Sequence, residues 1–255
     1  MTTGPEPDPG SSSDHVDGHP GGVPVPRPGS MPESRAEQSP ATDAALDRVL
    51  MRSRELGFLG PGPTAAHIRH AASFLPGIDD LESRHAPTRV GELTLVDLGS
   101  GGGLPGLILA VRRPSIHVVL IDAIRKRTDF LEWAVAELGV HERVEVRRGR
   151  AEELAREPDL RGSAEVVTAR SFGPPAVTAE CAAGFLSGPG ARLLVSEPPT
   201  GSEDRWPAEG LLRLGMQPGR LWYAEGATVM AVDVITACAE GIPRRVGVPA
   251  RRPLF

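Results

Sequence analysis

Cysteine is scarce: Cys181 and Cys238 are the two in 255 residues, far apart and without C-x-x-C spacing. A disulfide-stapled fold is thereby excluded, and each is expected to be a buried, reduced thiol. Long apolar runs are lacking too. Neither an eighteen-residue span nor an apolar signal-peptide core occurs, so the chain reads as a cytoplasmic protein with no membrane segment. His67 and His70 stand at i and i+3 with no third ligand and no H-E-x-x-H pattern, so no metal site is expected. Lysine is nearly absent, Lys126 being the one lysine among 28 basic residues. The net charge of −5 argues against binding nucleic acid through the bulk field, although that sum hides a basic C-terminal end.

Residues 1–40 are dominated by Pro, Gly, Ser and Asp and cannot bury enough apolar surface to offset chain entropy, so a disordered tail is expected there. Residues 41–90 read as a helical preface, with helix from about Thr42 to Leu75. Residues 91–240 form the main domain and 241–255 a basic tail. Strands are expected near 93–98, 117–122, 143–147, 164–169 and 191–196, with helices near 104–112, 124–138, 151–156 and 175–186. Such alternation predicts a parallel sheet covered by helices on both faces. The order then changes, because Leu221-Trp222-Tyr223 and Thr228–Ile235 flank a Glu225-Gly226 turn and read as a terminal antiparallel hairpin.

The most informative stretch runs from Leu95 to Gly106, LVDLGSGGGLPG: an apolar strand ending in an acid, a glycine loop, then a helix. Glycines are needed where the turn forbids a Cβ and where a ligand approaches the main chain. Two cofactors compete for the loop. Gly101, Gly103 and Gly106 satisfy the G-x-G-x-x-G of dinucleotide sites, whereas Asp97, Gly99, Gly101 and Gly103 satisfy the D-x-G-x-G-x-G of S-adenosylmethionine (SAM) enzymes. A carboxylate at Asp97 would repel a pyrophosphate and attract a sulfonium and an ammonium, which favours SAM over NAD. A tight turn with no ligand is the third possibility. Asp122 ends the second strand a little over twenty residues past the loop, where a ribose-binding carboxylate belongs; as an N-cap of the following helix it would serve a compatible second role.

These residues resemble the bacterial small-subunit ribosomal RNA guanine-N7 methyltransferases, the RsmG (GidB) family. The likeness spans about Leu56 to Leu254. It is carried by the G-x-G-L-P-G loop, Asp122 with Arg125-Lys126-Arg127 and Phe130-Leu131, Gly149 to Glu153, Thr168-Ala169-Arg170-Ser171-Phe172, and the tail from Pro243-Arg244-Arg245 to Arg252-Pro253-Leu254. The resemblance implies a Rossmann-like class I SAM-dependent methyltransferase with a mostly parallel seven-stranded sheet. It also implies SAM contacts at Gly99, Leu104, the Ala151-Glu152 pair and Arg170, with ribosomal RNA or the small subunit as partner. Ala151-Glu152 would hold the adenine edge, and Arg170, at the carboxyl end of the fourth strand, would point over the edge where open α/β sheets bind ligands; a surface ion pair is its plainer reading. Lys126, Arg127, Arg244, Arg245, Arg251 and Arg252 are candidate phosphate contacts, the tail being held extended by its prolines, or else simply solvated. No catalytic base is expected, because guanine N7 presents a lone pair in its neutral form.

Two places depart from the family pattern. Ser196-Glu197-Pro198-Pro199 stands where a lysine-glycine pair is common, and His67-Ile68-Arg69-His70-Ala71 lacks the acid and serine of His-x-x-Asp-Ser. Beside rRNA methylation stand two further readings: a related methyltransferase acting on another RNA or a small molecule, and a non-catalytic SAM- or RNA-binding protein.

Overall fold

A computed structural model describes residues 1, 2, 4, 40–85, 93–198 and 203–255. The disorder expected for residues 1–40 therefore falls almost wholly outside the described residues. Seven strands form one sheet: β1 (Leu93–Leu98), β2 (Ile116–Asp122), β3 (Val144–Arg148), β4 (Val166–Ala169), β5 (Arg192–Glu197), β6 (Met216–Ala224) and β7 (Ala227–Val234). Their order is β3-β2-β1-β4-β5-β7-β6, with β1 to β5 parallel and β7 antiparallel to both its neighbours. This is the Rossmann-like sheet with a terminal hairpin that the sequence predicts. Glu225 (φ 51°) and Gly226 (φ 75°) make its two-residue turn, both left-handed as such a hairpin requires.

The strands alternate with a period of two, and both faces are dry. Val96, Leu98, Val119, Ile121 and Val167 pack into one core, whereas Leu95, Val118, Leu120, Val166 and Leu194 pack into the other. The helices that cover them are α1 (Pro40–Glu55), α2 (Thr64–Ala72), α3 (Leu75–His85), α4 (Gly106–Arg112), α5 (Arg125–Glu137), α6 (Ala151–Leu154), α7 (Pro175–Ala183), α8 (Ala208–Leu212) and α9 (Val248–Arg251).

Helix within the preface runs past Leu75, where the sequence predicts its end, because α3 begins there and continues to His85. Pro76-Gly77 resembles a break, yet proline is tolerated in a first helical turn. Gly77 leaves room for Leu194, whose side chain would have to shift to clear a Cβ 2.7 Å away. Both cysteines are free; Cys181 is buried, and that burial raises its pKa, whereas Cys238 is only partly covered.

The tail corrects its expectation more sharply, being neither extended nor loose. It turns through α9 and packs back on the domain. Arg244 donates Nε to Glu180 Oε1 at 2.8 Å and Nη2 to Oε2 at 2.6 Å, its own N–H also donating to Oε1 at 2.8 Å. Glu180 has no exposed side-chain surface, so this arginine neutralises a buried carboxylate and is not free to hold a phosphate. Arg245, Arg251 and Arg252 stay exposed.

Candidate functional site

After β1 the chain moves one way to β2 and β3, then returns and moves the other way to β4 and β5. The carboxyl ends of β1 and β4 are thus a topological switch point, where loops diverge and leave a crevice. A cleft of about 340 Å³ opens there, lined on one side by Gly99 to Gly102 and Leu104, and on the others by Arg127, Arg170, Ser171 and the Phe58-Leu59-Gly60 segment. Five predicted residues meet in it: Gly99, Gly101, Leu104, Arg127 and Arg170.

The two predicted acids act from behind the loop. Asp97 is buried, its Oδ1 accepting from Thr168 Oγ1 at 2.7 Å and its Oδ2 from the Gly106 N–H at 3.2 Å. These contacts tie the loop's two ends to each other and to β4, and Asp97, buried behind the loop, does not line the cleft, whereas the sequence predicts that it faces a cationic ligand. Burial pushes its pKa up to about 6, against the hydrogen bonds from Thr168 and Gly106 that favour the ionised form. Asp122 accepts from the Gly101 N–H at 3.0 Å and the Ile124 N–H at 2.9 Å, with Arg127 Nη1 3.4 Å from Oδ2. It therefore does act in the turn before α5, while also fixing the loop beneath the cleft. A carboxylate has about four acceptor positions, so these three donors do not fill them.

Ala151 opens α6 beside the end of β2, where the Gly149 N–H donates to the Asp122 carbonyl at 3.1 Å. Glu152 also makes a contact within the fold: its Oε1 accepts from the Gly247 N–H at 3.0 Å and so ties the C-terminal segment to α6. Lys126 lies on the outer rim, its Nζ 5.7 Å above the Phe58 ring.

The opposite wall was not legible in the sequence. Phe58-Leu59-Gly60 belongs to the glycine-proline loop between α1 and α2, brought onto the cofactor loop by close contact at Gly102. A Cβ there would lie 2.4 Å from Ser53 Oγ and 3.0 Å from the Phe58 carbonyl, so only glycine permits it. The two histidines, considered earlier only as a metal pair, part company. His67 approaches Gly60 O (3.2 Å) and Arg170 Nη2 (3.4 Å), whereas His70 Nε2 lies 2.7 Å from Ser196 Oγ. Among the described residues no group of three or more His, Cys, Asp or Glu could hold a metal. Burial, with the charge of Arg170 adding to it, lowers the pKa of both rings.

A second cavity of about 340 Å³ adjoins the cleft through Ser171, which takes a left-handed φ of 55°. Phe172, Ser196, Glu197, Arg205 and Trp206 line it, with His70. Glu197 is nearly buried, and the reversed charge it brings is matched locally: Arg205 pairs with it and Trp206 Nε1 donates at 3.0 Å. The C-terminal segment borders this cavity, since Pro175 and Arg205 also line a groove floored by Ala250, Pro253 and Phe255.

Residues 78–196 match the family described as rRNA small subunit methyltransferase G (GidB). The ribosomal RNA small subunit methyltransferase G of Prochlorococcus marinus (strain MIT 9313) is 32% identical over 188 residues, covering 71% of this chain and 74% of its own length. The chain belongs to the rRNA small subunit methyltransferase G family. Its counterpart in Acidothermus cellulolyticus is 39% identical over 183 residues, covering 70% of this chain and 72% of its own. At the level of fold, this member of the methyltransferase G family resembles a branched-chain polyamine synthase mutein from Thermus thermophilus, solved with N4-aminopropylspermidine and 5'-methylthioadenosine. The TM-score is 0.53 at 18% identity, covering 86% of this chain and 72% of that one.

Proposed function

We propose that this protein transfers a methyl group from SAM to N7 of a guanine in small-subunit ribosomal RNA. The observation that carries the reading is the pair of adjoining cavities at the carboxyl edge of the sheet, one walled by the glycine loop and Arg170, the other beside it at Ser171.

The residues of the first cavity fit SAM. Main chain from Gly99 to Gly102 leaves room for a nucleoside against the backbone, and the acid at Asp122 lies under the loop for a ribose. Arg170 supplies a half-buried cation with no carboxylate partner in an ion pair among the described residues, suited to the methionine carboxylate. When bound, SAM supplies an electrophilic methyl group. The protein's part is alignment: N7 uses its own lone pair, the C–S bond breaks as the C–N bond forms, and the positive charge passes from sulfur to the base. No residue need remove a proton.

Ser171 at the shared wall, the Phe172 ring and the polar Ser196, Glu197 and Arg205 suit the second cavity to an unstacked base. Exposed Arg251 and Arg252, between the Ala250 and Pro253 that line the adjoining groove, suit flanking phosphates, as do the exposed Arg245 and Lys126, the latter over Phe58 of the first cleft. An rRNA substrate accords with a cytoplasmic location; among the described residues no helix is long and apolar enough to cross a membrane. A second reading, a methyltransferase of another RNA or a small molecule, draws on Glu197 where the family commonly has lysine.

Labelled SAM incubated with small subunits or rRNA lacking the modification tests the proposal. The expected product is 7-methylguanosine. Failure on both substrates by folded, SAM-binding protein would shift the assignment to the second reading.

A further inference from the structure

We propose that His67 is a positioning residue that sets the Arg170 guanidinium in the cleft, aligned for the carboxylate of the cofactor's amino-acid end. The inference rests on the reading of Arg170 given above and adds the group that orients it. His67 sits on α2, only 9% exposed, with its ring between two partners of fixed chemistry. The Gly60 carbonyl can only accept, so Nε2 carries the hydrogen and donates across 3.2 Å. A guanidinium can only donate, so Nδ1 is the bare nitrogen that accepts from Arg170 Nη2 across 3.4 Å. A single neutral tautomer satisfies both contacts, and protonating the ring would destroy the second.

Burial, then the charge of Arg170, favours that neutral form against the pull of the Gly60 and Pro61 carbonyls. His67 faces Arg170, Arg54 and His70, and the carboxylate that interacts with Arg170 from behind is Asp97. Because Gly60 lines the cleft as well, one ring holds both a wall of the site and its cation. A long, flexible arginine fixed before the ligand arrives loses less rotamer freedom on binding it.

Calorimetry with two probes separates this role from a general structural one. S-Adenosylhomocysteine carries the amino-acid carboxylate; 5'-methylthioadenosine keeps the nucleoside and lacks it. In His67→Asn the amide oxygen can stand near the Nδ1 position and still accept from Arg170, whereas His67→Gln reaches the Nε2 position and keeps only the Gly60 contact. His67→Gln is expected to weaken S-adenosylhomocysteine about tenfold, the scale of one hydrogen bond to a charged group. It should leave 5'-methylthioadenosine unchanged, while His67→Asn retains most of the wild-type affinity for both. Equal weakening of both probes by His67→Gln, or weakening of neither, overturns the positioning role. Arg170→Ala is the control on the reading beneath it: it should lose S-adenosylhomocysteine selectively. If it loses neither probe, or both alike, the assignment of Arg170 to the carboxylate fails, and the proposal for His67 with it.

Discussion

Truncating Arg244 separates a structural arginine from an RNA-binding one. Arg244→Ala removes two of the three hydrogen bonds to Glu180 and leaves a carboxylate with no exposed side-chain surface facing a lone N–H. Breaking a buried pair from one side costs about 3–5 kcal/mol. The arginine side chain keeps 28% of its surface exposed, which points to the lower end, about 3 kcal/mol. At about 2–4 °C per kcal/mol for a domain of this size, the melting temperature should fall by about 6–12 °C. Replacing both partners by apolar residues, Glu180→Leu with Arg244→Met, should recover much of the loss, because no charge is then left buried. Melting by calorimetry, paired with the salt dependence of RNA binding, gives the contrast. Arg245→Ala, Arg251→Ala and Arg252→Ala should melt within about 0.5 kcal/mol of wild type, as exposed substitutions do. Each should flatten the log–log salt slope by about 0.7–0.9 where the arginine meets a phosphate. An Arg244→Ala protein with wild-type melting, or one that flattens the salt slope as Arg251→Ala does, would refute the assignment of this arginine to the fold.

Asp97→Asn should change how stability depends on pH. Burial raises the Asp97 pKa to about 6, so between about pH 4 and 6 the folded protein holds a proton that the unfolded chain has released. The stability contributed by protonated Asp97 is thus lost as pH rises through that window. The stability of the asparagine variant relative to wild type should rise from pH 4 to pH 7 by something on the order of 2–3 kcal/mol in denaturant titrations; a pH-independent difference would contradict this account. Gly102→Ala forces a methyl group toward Ser53 and the Phe58 carbonyl, so it should cost about 1–3 kcal/mol and weaken cofactor binding by displacing the cleft wall, as read by melting and calorimetry. Asp122→Ala strips acceptors from the Gly101 and Ile124 N–H groups and should weaken S-adenosylhomocysteine and 5'-methylthioadenosine together, by tenfold or more at about 1.5–3 kcal/mol; selective loss of one would place Asp122 away from the nucleoside.

The sheet, its hairpin and the glycine loop were written in local pattern. Buried parallel strands need continuous apolar runs, left-handed turns need residues such as Gly226, and a loop beneath a ligand needs Gly99 and Gly101, so each leaves a mark a few residues long. The placement of Arg170 over the switch point followed from the same logic. Where side chains end up was a different matter. Asp97 and Glu152 carry the right chemistry at the right element ends, but the donors they meet are Gly106, Thr168 and Gly247, partners up to 95 residues away. Arg244 looks identical to Arg245 in a basic run, and only the fold brings Glu180 to one of them. His67 meets Arg170 across 103 residues, and Phe58 meets the loop because Gly102 lets two backbones touch. Sequence fixes the periodicities and turn chemistry that act between neighbours; which charge finds which partner is decided by packing, because a buried carboxylate must be satisfied by whatever donor the tertiary structure brings to it.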